Sequence, residues 1–151
     1  MARVSLLDVN VLVALFDPDH IHHELAHDWF ADHRAEGWAT CAVTENGFVR
    51  VVSNPRYQPD APRPAAVVDR LRRFCTSEHH HFWADPVSLR DAALFNLSVA
   101  RGHRQVTDIY LLALARRQGG RLATFDRTIP LAAVKGAGDD TLAVIGPAPD
   151  E

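Results

Sequence analysis

The 151-residue sequence has two cysteines, one lysine, no long apolar run and no excess of positive charge. Cys41 and Cys75 lie far apart without CxxC spacing, so neither a disulfide framework nor a thiolate zinc site is indicated, and both read as reduced core residues. No apolar stretch approaches the roughly 18 residues needed to cross a bilayer. The opening run Val4-Ser5-Leu6-Leu7-Asp8 meets a charge too soon for a signal peptide. A cytoplasmic protein is expected, with no membrane partner. The net charge of −3 argues against a general polyanion binder. That objection weakens if four carboxylates are engaged by cations, which leaves the remainder at +1. Lys135 apart, the basic residues are arginines, whose planar fork suits phosphate.

What is present is the composition of a globular protein, 47% hydrophobic and 23% charged. Its length suits one domain, here taken as residues 1–146 with a frayed tail at 147–151. Short β-like runs alternate with longer helical stretches, which predicts an α/β domain with a central, mostly parallel sheet of about five strands flanked by helices. The strands are expected at Arg3 to Leu7, Trp38 to Cys41, His81 to Ala84, Arg121 to Phe125 and Thr141 to Ile145. Asn10 to Phe16 predicts a first helix, stopped by Asp17-Pro18. A second is expected over His20 to Arg34, with Ile21, Leu25 and Trp29 on one face and Ala26 and Phe30 beside them. A third starts near Thr44 and ends before Asn54-Pro55, burying Phe48, Val49 and Val52. A fourth covers Pro64 to Phe74, burying Val67, Val68, Leu71 and Phe74. A fifth opens at Ser88, in a capping-box-like Ser-Leu-Arg-Asp, and closes at Gly102. The sixth has Thr107 as its N-cap and ends at Gly119-Gly120.

On this map the acids form a pattern. Asp8 and Asp126 end strands, while Glu45 and Asp108 occupy first turns of helices. In a parallel sheet, strand C-termini share an edge with the N-termini of the helices that follow them, and that edge is where open α/β folds bind ligands. Asp8, Glu45 and Asp126 fall there by connectivity; Asp108 joins them only if the fifth helix returns the chain to the same edge. Acids in helix first turns also favour the helix dipole, and aspartates are common at strand ends. Asp8, however, sits inside Leu6-Leu7-Asp8-Val9-Asn10-Val11-Leu12, where a charge is costly unless paired or bound to metal. Two carboxylates about 4 Å apart repel by roughly 4 kcal/mol at an effective dielectric near 20. An all-oxygen cluster suits a hard cation, Mg²⁺ or Mn²⁺. A partly hydrated ion of that kind activates water and stabilises a leaving oxygen, which implies a phosphodiester substrate.

LLDVNVLVAL, TENGFVRVV and VTDIYLLALARRQGGRLATFD, in that order, resemble the PIN-domain ribonucleases of the VapC toxin type over about Val4 to Ile129. The resemblance implies an Mg²⁺- or Mn²⁺-dependent endoribonuclease that is the toxin of a toxin–antitoxin pair, usually a homodimer neutralised by a cognate antitoxin. It places the family's acids on Asp8, Glu45, Asp108 and Asp126 as catalytic and metal-binding residues, with Asn10, Thr124 and Thr107 as polar supports. Asp8 and Asp108 would be the principal ligands, Glu45 would ligate or orient the attacking water, and Asp126 would hold a second ion or a metal-bound water. Many relatives carry another acid two residues after the last motif, where this chain has Thr128.

Arg104, just before the site helix, is the candidate RNA-phosphate contact, and Trp29 and Phe30 are candidates for an antitoxin groove or dimer surface. His20, His23 and His27 have helical spacing but lack the glutamate of an HExxH motif, so they read as a solvated face. Two other functions are open to the sequence. A haloacid-dehalogenase-like phosphatase also needs an aspartate after its first strand, but it asks for a second acid where Asn10 stands. A non-catalytic PIN-like module would bind RNA or protein without cleaving it.

Overall fold

A computed structural model describes residues 3–146; the expected frayed tail at 147–151 lies outside them. The element order is β1 (Ser5–Leu7), α1 (Val9–Phe16), α2 (His23–His33), β2 (Trp38–Cys41), α3 (Ala42–Val52), α4 (Pro64–Cys75), β3 (His80–Trp83), α5 (Val106–Arg117), β4 (Arg121–Thr124) and β5 (Leu142–Val144). The five strands form one sheet in the order β3-β2-β1-β4-β5, and every pairing is parallel. Such a sheet must be covered on both faces. Side chains alternate accordingly. Leu7, Trp38 and Ala123 face a core built with α1 to α4, including Val11, Phe30, Phe48 and Leu71. Leu6, Ala39 and Leu122 face the other, dominated by α5, whose Ile109 and Leu111 to Ala115 are wholly buried. Among the described residues, no helix is long and apolar enough to cross a membrane.

Four sequence expectations are corrected. No α-helix spans Ser88 to Gly102. That stretch holds turns and the short 3₁₀ helices Leu97–Val99 and His103–Gln105, the latter leading into α5. The Ser88 hydroxyl and the Asp91 carboxylate accept backbone N–H groups two residues on, closing local turns that compete with a helix. Asn96 and Lys135 then exchange backbone bonds with Ala133 and Leu94, fastening the segment to a distant loop. Second, α2 begins at His23 rather than His20, because side-chain bonds from Asp17 and His20 stabilise turns ahead of it. Ile21 is therefore 87% exposed, and Leu25 is exposed too; Ala26 and Phe30 carry the buried face. Third, Val68 on α4 is exposed, while Val67 and Leu71 are buried. Fourth, the N-cap of α5 is Gln105, and Thr107 lies inside the helix. The Cys41 backbone similarly starts α3 two residues before Thr44, whose hydroxyl accepts the Cys41 N–H at 2.9 Å.

The histidines of α2 have a structural role. His23 Nδ1 lies 2.6 Å from the carbonyl of Ala14, and His27 Nε2 lies 2.9 Å from that of Leu15. They thus satisfy carbonyls that the end of α1 leaves without helical partners.

The turn from α5 into β4 calls for glycine twice, at Gly119 for its φ of 71° and at Gly120 for space. A Cβ on Gly120 would collide with the Val4 carbonyl and lie 2.7 Å from the Trp83 ring. We expect Gly120→Ala to destabilise the fold by about 1–3 kcal/mol, as overpacking does. Gly102→Ala, with extended backbone and nothing within 4 Å of the new methyl, should stay within about 0.5 kcal/mol. Urea unfolding curves of the two variants measure the difference.

Candidate active site

The strand order reverses direction beside β1: β2 and β3 lie to one side, β4 and β5 to the other. The crevice at such a switch point, beyond the strand C-termini, is the usual ligand site of an open α/β sheet. Asp8 follows β1 and Asp126 follows β4, on adjacent strands. The backbone N–H of Asp8 bonds to the Ala123 carbonyl at 3.0 Å. Helix α5 precedes β4 and runs back across the sheet, so its first turn, with Asp108, reaches the same edge. The irregular segment 84–105, not a helix, brings the chain there.

Asp8 is 6% exposed and is the N-cap of α1. One carboxylate oxygen accepts the Val9 N–H at 2.7 Å, and the other accepts the Thr124 hydroxyl at 2.8 Å. Burial pushes its carboxyl above the ordinary range, against the opposing pull of those two bonds, and the Asp126 charge adds to the rise. Asp108 is pushed up to about 7, first by burial and then by the charges of Asp8 and Asp126. Asp126 is oriented by its neighbours: Thr128 donates both its N–H and its hydroxyl to Oδ1, each at 2.7 Å, and the Asp126 N–H bonds to the Thr124 hydroxyl. Thr128 thus acts as a clamp on Asp126. Three aspartates therefore share one electrostatic site.

Glu45 is arranged differently. It lies in the first turn of α3, but its carboxylate accepts the Thr40 hydroxyl at 2.7 Å. The charges that raise Asp108 are those of Asp8 and Asp126, and Glu45 is not among them. Among the described residues, the one group of three His, Cys, Asp or Glu side chains whose ligand atoms lie within 4.8 Å of each other is Glu45, Cys75 and His80. The sequence reading missed Cys75 and His80 as site residues, since neither lies in a ligand motif.

Of the expected supports, Thr124 touches Asp8 directly, whereas Asn10 and Thr107 are exposed. Thr107 lines a cleft of about 440 Å³ together with Val9, Asn46, Gly47 and Arg50. Val9 and Thr107 are the chain neighbours of Asp8 and Asp108, although none of the acids lines this cleft. Asn46 and Arg50 were not singled out from sequence, although the helical repeat of α3 sets them four apart on one face. Arg104 is exposed in the short helix before α5. Phe30 is buried, and Trp29 is half-buried, stacked on His33 with the Arg121 guanidinium over its ring. A larger cavity, about 530 Å³ and lined by Phe16, Phe30, Arg70 and Phe74, contains none of the acids.

The raised Asp108 carboxyl has a consequence for stability. Without a cation the folded state retains a proton up to about pH 7 that the unfolded state, with its ordinary 3.8, has already released. Metal-free protein should therefore lose stability as pH rises from 3.8 towards about 7. Asp126→Asn should flatten that slope by removing one repelling charge. Denaturant unfolding across this range, in chelator, measures both.

Comparison with known proteins places this geometry in a family. The model of the PIN domain matches residues 5–135. The chain is 48% identical to ribonuclease VapC44 of Mycobacterium tuberculosis over 141 residues, 93% of this chain and 99% of the relative. It is 42% identical to ribonuclease VapC39 of the same organism over 125 residues, covering 83% and 90%. A crystal structure of PAE2754 from Pyrobaculum aerophilum aligns with TM-score 0.47 and 23% identity, covering 91% of this chain and 83% of that one. The haloacid-dehalogenase alternative is thereby set aside. An open parallel sheet with aspartates at its switch point and a domain match over most of its length make this chain a member of the PIN-domain family.

Proposed function

We propose that the protein is a metal-dependent endoribonuclease, the cytoplasmic toxin of a toxin–antitoxin pair. The observation that carries this reading is the convergence of Asp8, Asp108 and Asp126 on the switch-point edge, with Asp108 raised first by burial and then by the charges of the other two. The ribonuclease names of relatives that match nearly their whole length support it. The site fits a divalent cation: its donors are all carboxylate oxygens, and their mutual repulsion calls for positive charge. Hard oxygen donors suit Mg²⁺ or Mn²⁺. When bound, such an ion activates water and neutralises charge on the phosphodiester.

The chain's own residues set up this chemistry. Thr124 and the Val9 N–H hold the Asp8 carboxylate in one orientation, so that it faces the site without rotating. Asp108, whose carboxyl is raised to about 7, would serve as a ligand in its ionised form. Thr128 fixes Asp126. The neighbouring cleft offers Arg50 to a phosphate, with Asn46 and Thr107 as further donors. Arg104 extends this basic path on the exposed approach to α5. Glu45 would act from the margin, ligating or orienting water only on release from Thr40. A homodimer and a cognate antitoxin complete the proposal as partners.

Asp8→Asn and Asp108→Asn should each reduce RNA cleavage by purified protein to background while leaving the circular dichroism spectrum unchanged. Full activity in a folded Asp8→Asn variant overturns the reading. Chelator-insensitive cleavage would remove its metal, and folded wild-type protein that binds RNA without cutting it would favour the non-catalytic module. Thr124→Val, which removes a support of Asp8, should lower metal affinity or activity about 10–100-fold. In a binding assay with single-stranded RNA across a salt series, Arg50→Ala should weaken affinity and reduce the slope of log K against log salt by about 0.7, the share of one phosphate contact. An unchanged slope would place the RNA path elsewhere.

A further inference from the structure

The group around Thr40 differs in chemistry from the aspartate site, and Glu45 is the one residue it shares with the nuclease machinery proposed above. Glu45 comes from the first turn of α3, Cys75 is the last residue of α4, and His80 is the first residue of β3. All three are half-buried, which leaves a route from solvent. Thr40 on β2 stands among them. Its hydroxyl donates to Glu45, lies 2.8 Å from His80 Nε2 and also contacts the Cys75 thiol. Parallel pairing sets His80 beside Trp38, and their ring centroids are 4.5 Å apart, so the imidazole is held on the sheet face that α3 and α4 cover. The turn that delivers it passes through His79, the one non-glycine residue with positive φ among those described, at 73°. The rest of the protein thus maintains a strained backbone position immediately before this histidine.

We propose that Glu45, Cys75 and His80 form a site for a borderline-soft divalent ion of the Zn²⁺ class. Thiolate, imidazole and carboxylate together select such an ion over Mg²⁺, for which the oxygen-only aspartates are suited. Ligands about 2.0–2.3 Å from a tetrahedral ion sit roughly 3.5 Å from each other. Donors already within 4.8 Å reach that spacing by side-chain rotation. On binding, the Cys75 thiol releases its proton to solvent, the imidazole binds as the neutral ring, and a water or the Thr40 hydroxyl takes the fourth position. Burial and the nearby Glu45 charge hold the free thiol up at about 11, so affinity rises with pH as the ion displaces that proton.

Cobalt is the probe. Titrating Co²⁺ into the reduced full-length protein should produce a thiolate-to-cobalt charge-transfer band. The band should be absent in Cys75→Ser, should need at least tenfold more cobalt in His80→Ala, and should be retained in Cys41→Ser. Excess Mg²⁺ should leave it in place, which separates this site from the aspartates whether or not the protein cuts RNA. No band in the wild type, a band unchanged in Cys75→Ser, or one displaced by Mg²⁺ would overturn the proposal. A second measurement covers the case in which the variants misfold. Zn²⁺ should protect Cys75 of the wild type from alkylation, read by mass spectrometry, and absence of protection overturns the site as well.

Discussion

The structure turns on one buried carboxylate. Asp8 lies where the sheet reverses direction, at the joint between β1 and α1, and the fold surrounds it before any ligand arrives. An uncompensated charge there would be prohibitive. Two donors compensate it, the Val9 N–H at the start of α1 and the Thr124 hydroxyl from the adjacent strand. The same two bonds do three jobs. They cap a helix, fasten β1 to β4, and aim the carboxylate at the edge where Asp108 and Asp126 arrive. Proximity of the three aspartates follows from the topology, and their repulsion follows from their proximity. The affinity for cations proposed above would therefore be a property of the strand order as much as of any single side chain.

The five strands were legible in the sequence because parallel strands buried on both faces leave compact apolar runs, and their order along the chain needs no tertiary information. The acids were legible for the same reason, each standing where a strand ends or a helix begins. Ser88 to Gly102 was not. Its serine and aspartate carry the marks of a helix start, but the same side chains close turns, and bonds to residues 133–135 decide between the outcomes. Ile21 and Val68 were misjudged because periodicity gives the spacing of a stripe and leaves its rotation undetermined.

The direction of Glu45 illustrates a deeper limit. Sequence position puts it at the active edge, yet its carboxylate is drawn to Thr40. Cys75 and His80 are five positions apart in the chain and fit no ligand motif; only the turn between α4 and β3 and the pairing of β3 with β2 bring them to Glu45. Two groups of unlike donor chemistry thus stand on one α/β scaffold, one all oxygen and one mixed. Glu45 is the residue that sequence assigns to the first and geometry to the second.

Helix α1 is held by side chains at both ends. Asp8 closes its N-terminus, and His23 and His27 of α2 occupy the carbonyls of Ala14 and Leu15 at the other. Its eight residues make a rod about 12 Å long. The two ends of that rod are tied to different parts of the fold, the aspartate to β4 through Thr124 and the C-terminus to α2 through its histidines. Helix α2 in that sense backs the aspartate site from behind, through the backbone carbonyls of α1 rather than through the cleft.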